Sequence, residues 1–589
     1  LFGADGTLDI PLGETSPDDL TSVEVSLNAL DGFGLSSPMT MGLGAAVTAE
    51  SVTLGESVRV FEVQTTQQGA VTGVVSELGA AQIAVAALAD SVAIVPVAPL
   101  KESTDYVVIA TNGIQGTNGT ALAASSSFQL TSGSIELSGE AAALEPVRLL
   151  TNSILAAVAA EGVDASTVVQ AWSFKTQSIT PVMQAVKSAS SAAAIAIAPT
   201  GLNTSNVVES LPGIADIYIG TIDLPYYRTA PANANDPAGI TSFWQTADGG
   251  NVTRFNPTPV ATSVQTVPVL MTVPNAASGN VVPANGWPVT IFVHGVTSDR
   301  SAMIAIADAM AQAGFAMIAI DQPMHGITDA TSPLFAANTP FEETERTFDI
   351  DLVNNETGAP GPDGLADSSG RHFYSPLYLL ATRDNLRQSV ADLFVLSDSI
   401  ANITTVPVDA SRKSVIGHSL GGAAVTPFLA FDTTISAATL GMPAAGLVGT
   451  TISSESFGPA IIAGLAAAGV EEGTADFEAF KVAAQTVVDS GDAINFGAQA
   501  AQNVPIHMIE VIGDTTVKNN VPGSPLVGTD ALARVMGLPQ TSADTTESAI
   551  VKFTAGNHVS LLSPEASLAA TLEMQAQTAA FAASNGSLI

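Results

Sequence analysis

Lys413-Ser414-Val415-Ile416-Gly417-His418-Ser419-Leu420-Gly421-Gly422-Ala423-Ala424-Val425 decides how the rest of this 589-residue chain is read. The first four residues read as a short buried strand. Ala423, Ala424 and Val425 suit a helix packed close behind it. Between them, Gly417-x-Ser419-x-Gly421 fits a nucleophile elbow, a strand-to-helix turn that presents a serine in a strained conformation. Glycine at the flanking positions removes side chains that would strike the neighbouring strand or helix. Ser419 is therefore the candidate nucleophile, and the rest of the chain must supply its partners.

A serine hydroxyl at neutral pH needs a histidine base, itself oriented by a carboxylate. In the α/β-hydrolase arrangement the chain order is serine, acid, histidine, with acid and base on loops after late strands. Here Asp514 closes the strand-like Ile506–Ile512, and His558 follows the strand-like Ala549–Phe553 within Ala555-Gly556-Asn557-His558. The chain holds six histidines, so elimination is informative. His418 adjoins the nucleophile and is expected to be turned elsewhere by the elbow. His507 sits mid-strand, and His294 ends a strand before the elbow. His325 and His372 lie in loops that could line a pocket. Only His558 lies downstream of Asp514. Asp492, Asp530 and Asp544 are the rival acids, better read as surface or capping carboxylates. An oxyanion hole needs two N–H groups. The expected pair is Leu420, just after the nucleophile, and Val296, in the loop His294-Gly295-Val296-Thr297 after the strand Val289–Val293.

Composition narrows the function classes. Eighteen Lys and Arg against 55 Asp and Glu give a formal charge of −37, a field that repels nucleic acid and opposes nonspecific binding to anionic membranes. With no cysteine, disulfides, thiol catalysis and cysteine-bound metals are excluded. The long apolar stretch Ala80–Leu100 is broken by Asp90, Pro96 and Pro99, and no such stretch reads as a bilayer span. No signal peptide is visible. The sequence runs from Leu1-Phe2-Gly3 straight into strand-like residues, and a natural N-terminus removed ahead of it is expected.

The length implies two or three domains. Residues 1–135 read as all-β and immunoglobulin-like, with strands expected at Val23–Leu27, Val58–Val63 and Tyr106–Ala110. Residues 136–204 read as an Ala-rich helical connector, built from Glu136–Glu161 and Val182–Ile197 around an Asp164 N-cap. Residues 205–589 alternate strand and helix, which predicts an α/β-hydrolase domain with a mostly parallel sheet. A helical cap or lid is expected at about 445–503, because Phe457–Gly469 is almost uncharged and could present an apolar face. Asp363-Gly364 with Asp367 and nearby Glu356 has some character of a calcium loop, without the full spacing of one; a solvated acidic turn is the plainer reading. Arg383, Asp384 and Arg387 would form ion pairs along one helix.

Longer strings carry a more specific likeness. Asp5-Gly6-Thr7-Leu8-Asp9-Ile10-Pro11, Ala171-Trp172-Ser173-Phe174-Lys175-Thr176-Gln177-Ser178, Pro360–Gly370, Arg383-Asp384-Asn385-Leu386-Arg387-Gln388 and Ser456-Phe457-Gly458-Pro459 resemble the extracellular lipases and surface lysophospholipases of the Vibrio and Aeromonas type. The resemblance implies a secreted or cell-surface hydrolase of lipid esters that needs no cofactor. The lipid-attachment cysteine of such lipoproteins is not in this sequence, and anchoring stays open. The expected partners are ester substrates and peripheral contact with lipid aggregates, with no obligate protein partner. Three alternatives stay open: cleavage of peptide or thioester bonds by the same triad, a broad short-chain or polyester-active carboxylesterase, and a surface adhesion protein with a degenerate hydrolase domain.

Overall fold

Seven antiparallel strands build the first part of the chain: β1 (Met39–Gly42), β2 (Val58–Thr65), β3 (Val71–Glu77), β4 (Ile83–Ala87), β5 (Ser91–Pro96), β6 (Asp105–Thr111) and β7 (Val168–Lys175). They form two sheets, ordered β1-β5-β4 and β3-β2-β6-β7. The computed structural model describes residues 2–341 and 345–589, so Leu1, quoted above, lies outside the description. The period of two assigns the faces. Val58 and Val60 of β2, with Tyr106, Val108 and Ala110 of β6, meet Ile83, Val92 and Ile94 of the other sheet. The alternate residues Phe61, Val63, Val107 and Ile109 pack against Ile154, Leu155 and Val158 of the helix Glu145–Ala159. Covered on both faces, β6 reads as an unbroken apolar run instead of an alternating one. Each such side chain contributes roughly 1.5–3 kcal/mol by burial.

Two boundaries differ from expectation. The connector expected over 136–204 divides. Its first helix covers the sheet just described, and Val168–Lys175 is not helical but pairs antiparallel with β6. Trp172 and Phe174 alternate inward onto the same core, a period-2 pattern too short to stand out beside the alanine-rich flanks. The first unit therefore comprises residues through Asp9, Leu30–Ser178 and Ser524–Leu526. Its end is tied down where the Ser178 N–H and hydroxyl donate to the Asp31 carboxylate at 2.8 and 2.7 Å. Further on, Thr180–Ala189 is helical, but Ile195–Asn203 is a strand, not the end of a helix.

Val23–Leu27 is the second correction. It is a short helix, not a strand, with the Ser22 side chain accepting from the Val25 N–H. The cap satisfies a terminal donor, and five alternating residues gave too little pattern to outweigh it. This segment belongs to the second unit, which comprises Ile10–Ala29, Ile179–Gly523 and Val527–Ile589. One helical run, Gly139–Ala159, has the length and hydropathy of a membrane span. One of its faces is spent on the first unit's core, through Ile154, Leu155 and Val158.

The second unit is built on a ten-stranded sheet. Its strands are β8 (Ile195–Asn203), β9 (Ala215–Tyr226), β10 (Ser263–Pro274), β11 (Trp287–Val293), β12 (Ala316–Ile320), β13 (Val408–His418), β14 (Ile435–Gly441), β15 (Ile506–Val511), β16 (Gln540–Thr541) and β17 (Ala549–Phe553). The order is β16-β17-β15-β14-β13-β11-β12-β10-β9-β8. Strands from β16 to β12 run parallel, and β10, β9 and β8 complete the sheet antiparallel. This is an α/β fold with the mostly parallel sheet expected. Its elbow strand is central, and the strand order reverses around β11, β12 and β13, the switch point at whose carboxyl ends such sheets place their sites.

One helix, Leu379–Ser399, is buried almost throughout although it carries many polar side chains. Each charge is matched: Asp384 pairs with Arg383 at 2.8 Å and Arg387 at 3.2 Å and accepts from the Trp244 N–H, and Asp392 pairs with Arg346 at 2.6 Å. Burial works against the Asp384 carboxylate, yet the arginines win and hold its pKa below the ordinary value. Helices Leu447–Ser453, Gly458–Ala467 and Ala475–Val488 lie within the expected cap. The fourth helix of that range, Ala493–Asn503, instead packs along the elbow helix Leu420–Phe431.

Candidate active site

The main chain turns sharply where β13 ends. Ser419 has φ 55° and ψ −118°, a left-handed conformation that costs of order 1–3 kcal/mol for a residue with a Cβ. The surrounding packing enforces it. A Cβ on Gly421 would stand 2.0 Å from the Val293 carbonyl oxygen of β11, so no side chain fits there. The Ser419 N–H is anchored on the Gly441 carbonyl of β14 at 2.8 Å.

Around that serine the structure brings together the side chains singled out in the sequence. Nε2 of His558 lies 2.9 Å from the Ser419 hydroxyl, and its Nδ1 lies 2.6 Å from Oδ2 of Asp514. A carboxylate oxygen accepts, so Nδ1 carries the proton and Nε2 turns its lone pair to the serine. The other Asp514 oxygen accepts from the N–H groups of Thr516 and Val517 at 2.8 and 3.2 Å. Asn519 stitches the same loop, accepting from Gly513 N–H and donating to the Val511 carbonyl. Ser419 is 5% exposed, leaving only its reactive edge near the surface.

Val296 follows Gly295 in the loop after β11, and Thr297 beyond it has φ 63°. That loop lies against the elbow: a Cβ on Gly295 would be 3.2 Å from Ser419 Cβ and 3.3 Å from His418 Nδ1. Its register is clamped by His294. Nε2 of His294 accepts from the Gln322 N–H at 3.0 Å, so Nδ1–H donates to the Gly295 carbonyl, while the Gln322 amide donates to the His294 carbonyl at 2.7 Å. Leu420 opens the elbow helix, where N–H groups have no acceptor within the helix.

The remaining histidines separate. His507 is fully buried, its pKa pushed down to about 3 by that burial. His325, expected as a pocket candidate, is also fully buried; its ring meets His294 edge-on and Phe373 at a tilt, and Gly370 is packed onto its Nε2. His372 bonds Asp367 at 2.6 Å. His418, expected to point away from the chemistry, instead donates from Nε2 to the His558 carbonyl at 2.9 Å. Among the rival acids, Asp492 caps the helix from Ala493 and binds the N–H groups of Gly446 and Leu447. Asp530 pairs with Lys552, and Asp544 is exposed.

The acidic loop at 351–367 spends its carboxylates on its own backbone. Asp351 accepts from Asp363 and Gly364, Asp363 from Asn355 and Leu365, and Asp367 from Leu352 and Val353. Among the described residues no cluster of three or more ligating side chains has metal-binding geometry.

Apolar groups border the triad. Ile512, two residues before Asp514, and Val559, next to His558, are 53% and 43% exposed. The segment expected as a cap over 445–503 touches the acid loop, where the Glu455 N–H donates to the Thr515 carbonyl and Glu455 pairs with Lys518 at 2.6 Å. Its helix Gly458–Ala467 carries no charged residue and buries only Gly458 and Leu465. The His294–Gln322 clamp, the Asn519 stitch and the His418 contact escaped sequence reasoning. The first and last join residues that the assembled sheet brings together, and the Asn519 stitch closes a single loop.

Residues 2–208 match the family described as bacterial virulence factor lipase N-terminal. No curated protein matches the chain. Among solved structures, an acetyl xylan esterase from Paenibacillus sp. R4 aligns with 13% identity and a TM-score of 0.34, covering 64% of this chain and 86% of its own. Acetyl xylan esterase 1 from Thermoanaerobacterium sp. aligns with 12% identity and a TM-score of 0.35, covering 69% and 92%. A cold-adapted esterase from an Arctic intertidal metagenomic library aligns with 14% identity and a TM-score of 0.30, covering 63% and 94%. The chain has an α/β fold in its second unit, and its residues 2–208 are similar to the N-terminal region of the bacterial virulence factor lipases.

Proposed function

We propose that this protein cleaves lipid carboxylic esters through Ser419, His558 and Asp514. The observation that carries the reading is the continuous hydrogen-bonded line from the Ser419 hydroxyl through His558 to Asp514. His558 Nε2 takes the hydroxyl proton as Ser419 attacks the ester carbonyl. Asp514 keeps the imidazole in the required tautomer and stabilises its charged form. The N–H groups of Leu420 and Val296 stabilise the oxyanion of the tetrahedral intermediate. His558 then protonates the departing alcohol. Water, activated by the same histidine, releases the acid and restores the serine.

Lipid substrates are favoured over small polar esters by the surroundings of the triad. Exposed Ile512 and Val559, with the uncharged helix Gly458–Ala467 that follows Glu455, itself bonded to the acid loop, offer an acyl chain apolar surface. The net charge of −37 favours neutral or zwitterionic lipids over anionic ones. The lipase family matched by residues 2–208 supports a secreted or cell-surface location.

The test is hydrolysis of p-nitrophenyl esters from acetate to palmitate, and of lysophosphatidylcholine, by wild type and Ser419→Ala. Loss of about 10⁴–10⁶ in kcat in the variant supports the nucleophile. An optimum at medium or long chains supports lipids, and one at acetate favours a short-chain carboxylesterase. Equal activity of both proteins would sink the reading.

A further inference from the structure

We propose that His418 is a positioning residue for the base: its ring fastens the main chain of His558 to the strand that carries the nucleophile. The inference rests on the triad reading above. His558 and Ser419 lie 139 residues apart in sequence, so their mutual distance must be set by contacts between the base loop and the sheet. The imidazole of His558 is held at both nitrogens by side chains that can themselves rotate, Ser419 and Asp514. The main chain of His558 has a separate tether.

His418 is the last residue of β13, paired with Gly441 of β14, so its backbone is fixed by the sheet. Its ring turns sideways into the site, with Nε2 at 2.9 Å from the His558 carbonyl oxygen. A carbonyl can only accept, so Nε2 bears the proton and the neutral ring turns its Nδ1 lone pair the other way. There it meets the loop after β11, 3.3 Å from where a Cβ of Gly295 would be. One ring thus fills the space between the base loop and the candidate oxyanion loop, and its own backbone carries the nucleophile. It is 5% exposed, and its centroid is 5.3 Å from that of His558.

Charge is consistent with this placement. Burial first, then the neighbouring His558, push the His418 pKa down to about 4, with Asp514 acting upward and His294 downward. The tether therefore stays neutral where His558 must gain its proton. A lysine or arginine could donate the same bond but would set a permanent positive charge against the imidazolium. Because attack requires the reacting atoms in a narrow range, loosening by about 1 Å costs on the order of 10²-fold in rate.

The test uses the full chain with His418→Leu, His418→Gln and His418→Asn, sites counted by titration with a p-nitrophenyl phosphonate. His418→Leu fills the space without a donor, and we expect kcat to fall about 10–100-fold with KM within twofold. The glutamine amide reaches where Nε2–H stood, so His418→Gln is expected within about fivefold of wild type; the shorter asparagine is expected to resemble leucine. Wild-type kcat in His418→Leu overturns the inference, as does a glutamine variant no better than asparagine. The second comparison stands even if the leucine variant does not fold. Ser419→Ala at full activity would instead remove the triad reading itself.

Discussion

The two units handle backbone strain and charge in opposite ways. Among the described residues, eight non-glycine residues have positive φ, and only Ser103 lies in the first unit. In the second, Thr297, Met324, Ser419 and Met442 follow β11, β12, β13 and β14 in turn. Four adjacent strand ends are thus each left by a left-handed residue, at the edge that holds Ser419. The ion pairs differ likewise. Arg59–Glu77 and Lys101–Glu62 of the first unit reach solvent, whereas Arg300 with Asp321 and Glu345, and Arg383 with Asp384, are buried. Exposed pairs contribute about 0–1 kcal/mol, while a buried charge stripped of its partner costs about 3–5 kcal/mol. Strain and buried charge have gathered where atoms must be held in place, and the β-sandwich, free of that demand, is conventionally packed.

The sharpest way to probe this contrast is Asp514→Asn, which leaves the fold but frees the His558 tautomer. A fall of about 10⁴ in kcat is expected, with the thermal midpoint close to wild type. Next comes Gly295→Ala, whose methyl group would press on Ser419 and His418. Kinetics should show kcat reduced about 10–100-fold with little change in KM. The mirror experiment is Ile109→Ala in the doubly covered strand β6. It should cost about 2–5 kcal/mol in the first unit's denaturant unfolding, while kcat per titrated site stays within twofold. A large kcat loss there would erase the distinction between the units.

The smallest expected effect concerns pH. Glu510 of β15 shares Lys552 with Asp530, and burial raises its pKa to about 7. The folded state therefore holds a proton that the unfolded chain has already released, so this group's contribution falls as pH rises from about 4.5 to about 7. Glu510→Gln should be more stable than wild type at pH 8 by about 1–2 kcal/mol, and the difference should vanish near pH 4. Denaturant melts at both pH values check the sign. An equal difference at both would mean the shared lysine, not protonation, controls the effect.

The elbow was legible because its chemistry is local: Gly417, Ser419 and Gly421 are dictated by one tight turn. Asp514 and His558 were legible because strand-like runs precede them and chain order restricts the choice. What escaped notice depended on distant pairings. Val168–Lys175 became a strand through β6, whereas Val23–Leu27 is the exception, a helix whose cap from Ser22 is local. His418 was expected to turn aside from the site, since the carbonyl it bonds arrives from a loop late in the chain. Local pattern singled out Ser419, Asp514 and His558, while assembled packing supplied most of the contacts around them.

The interleaved boundary of the two units bears on the order in which the chain can mature. Residues Ile10–Ala29 belong to the second unit, and the helix Val23–Leu27 packs on the helices Leu379–Ser399 and Ala475–Val488. During synthesis or export from its N-terminal end, that segment emerges early and must wait for partners that begin about 350 and about 450 residues behind it. The first unit, apart from Ser524–Leu526, has its strands in hand once Ser178 has emerged. Its sheets can thus close early around a loop left open for later use. A truncation at Ser178 would strand that loop, and a start at Leu30 would deprive the later helices of theirs.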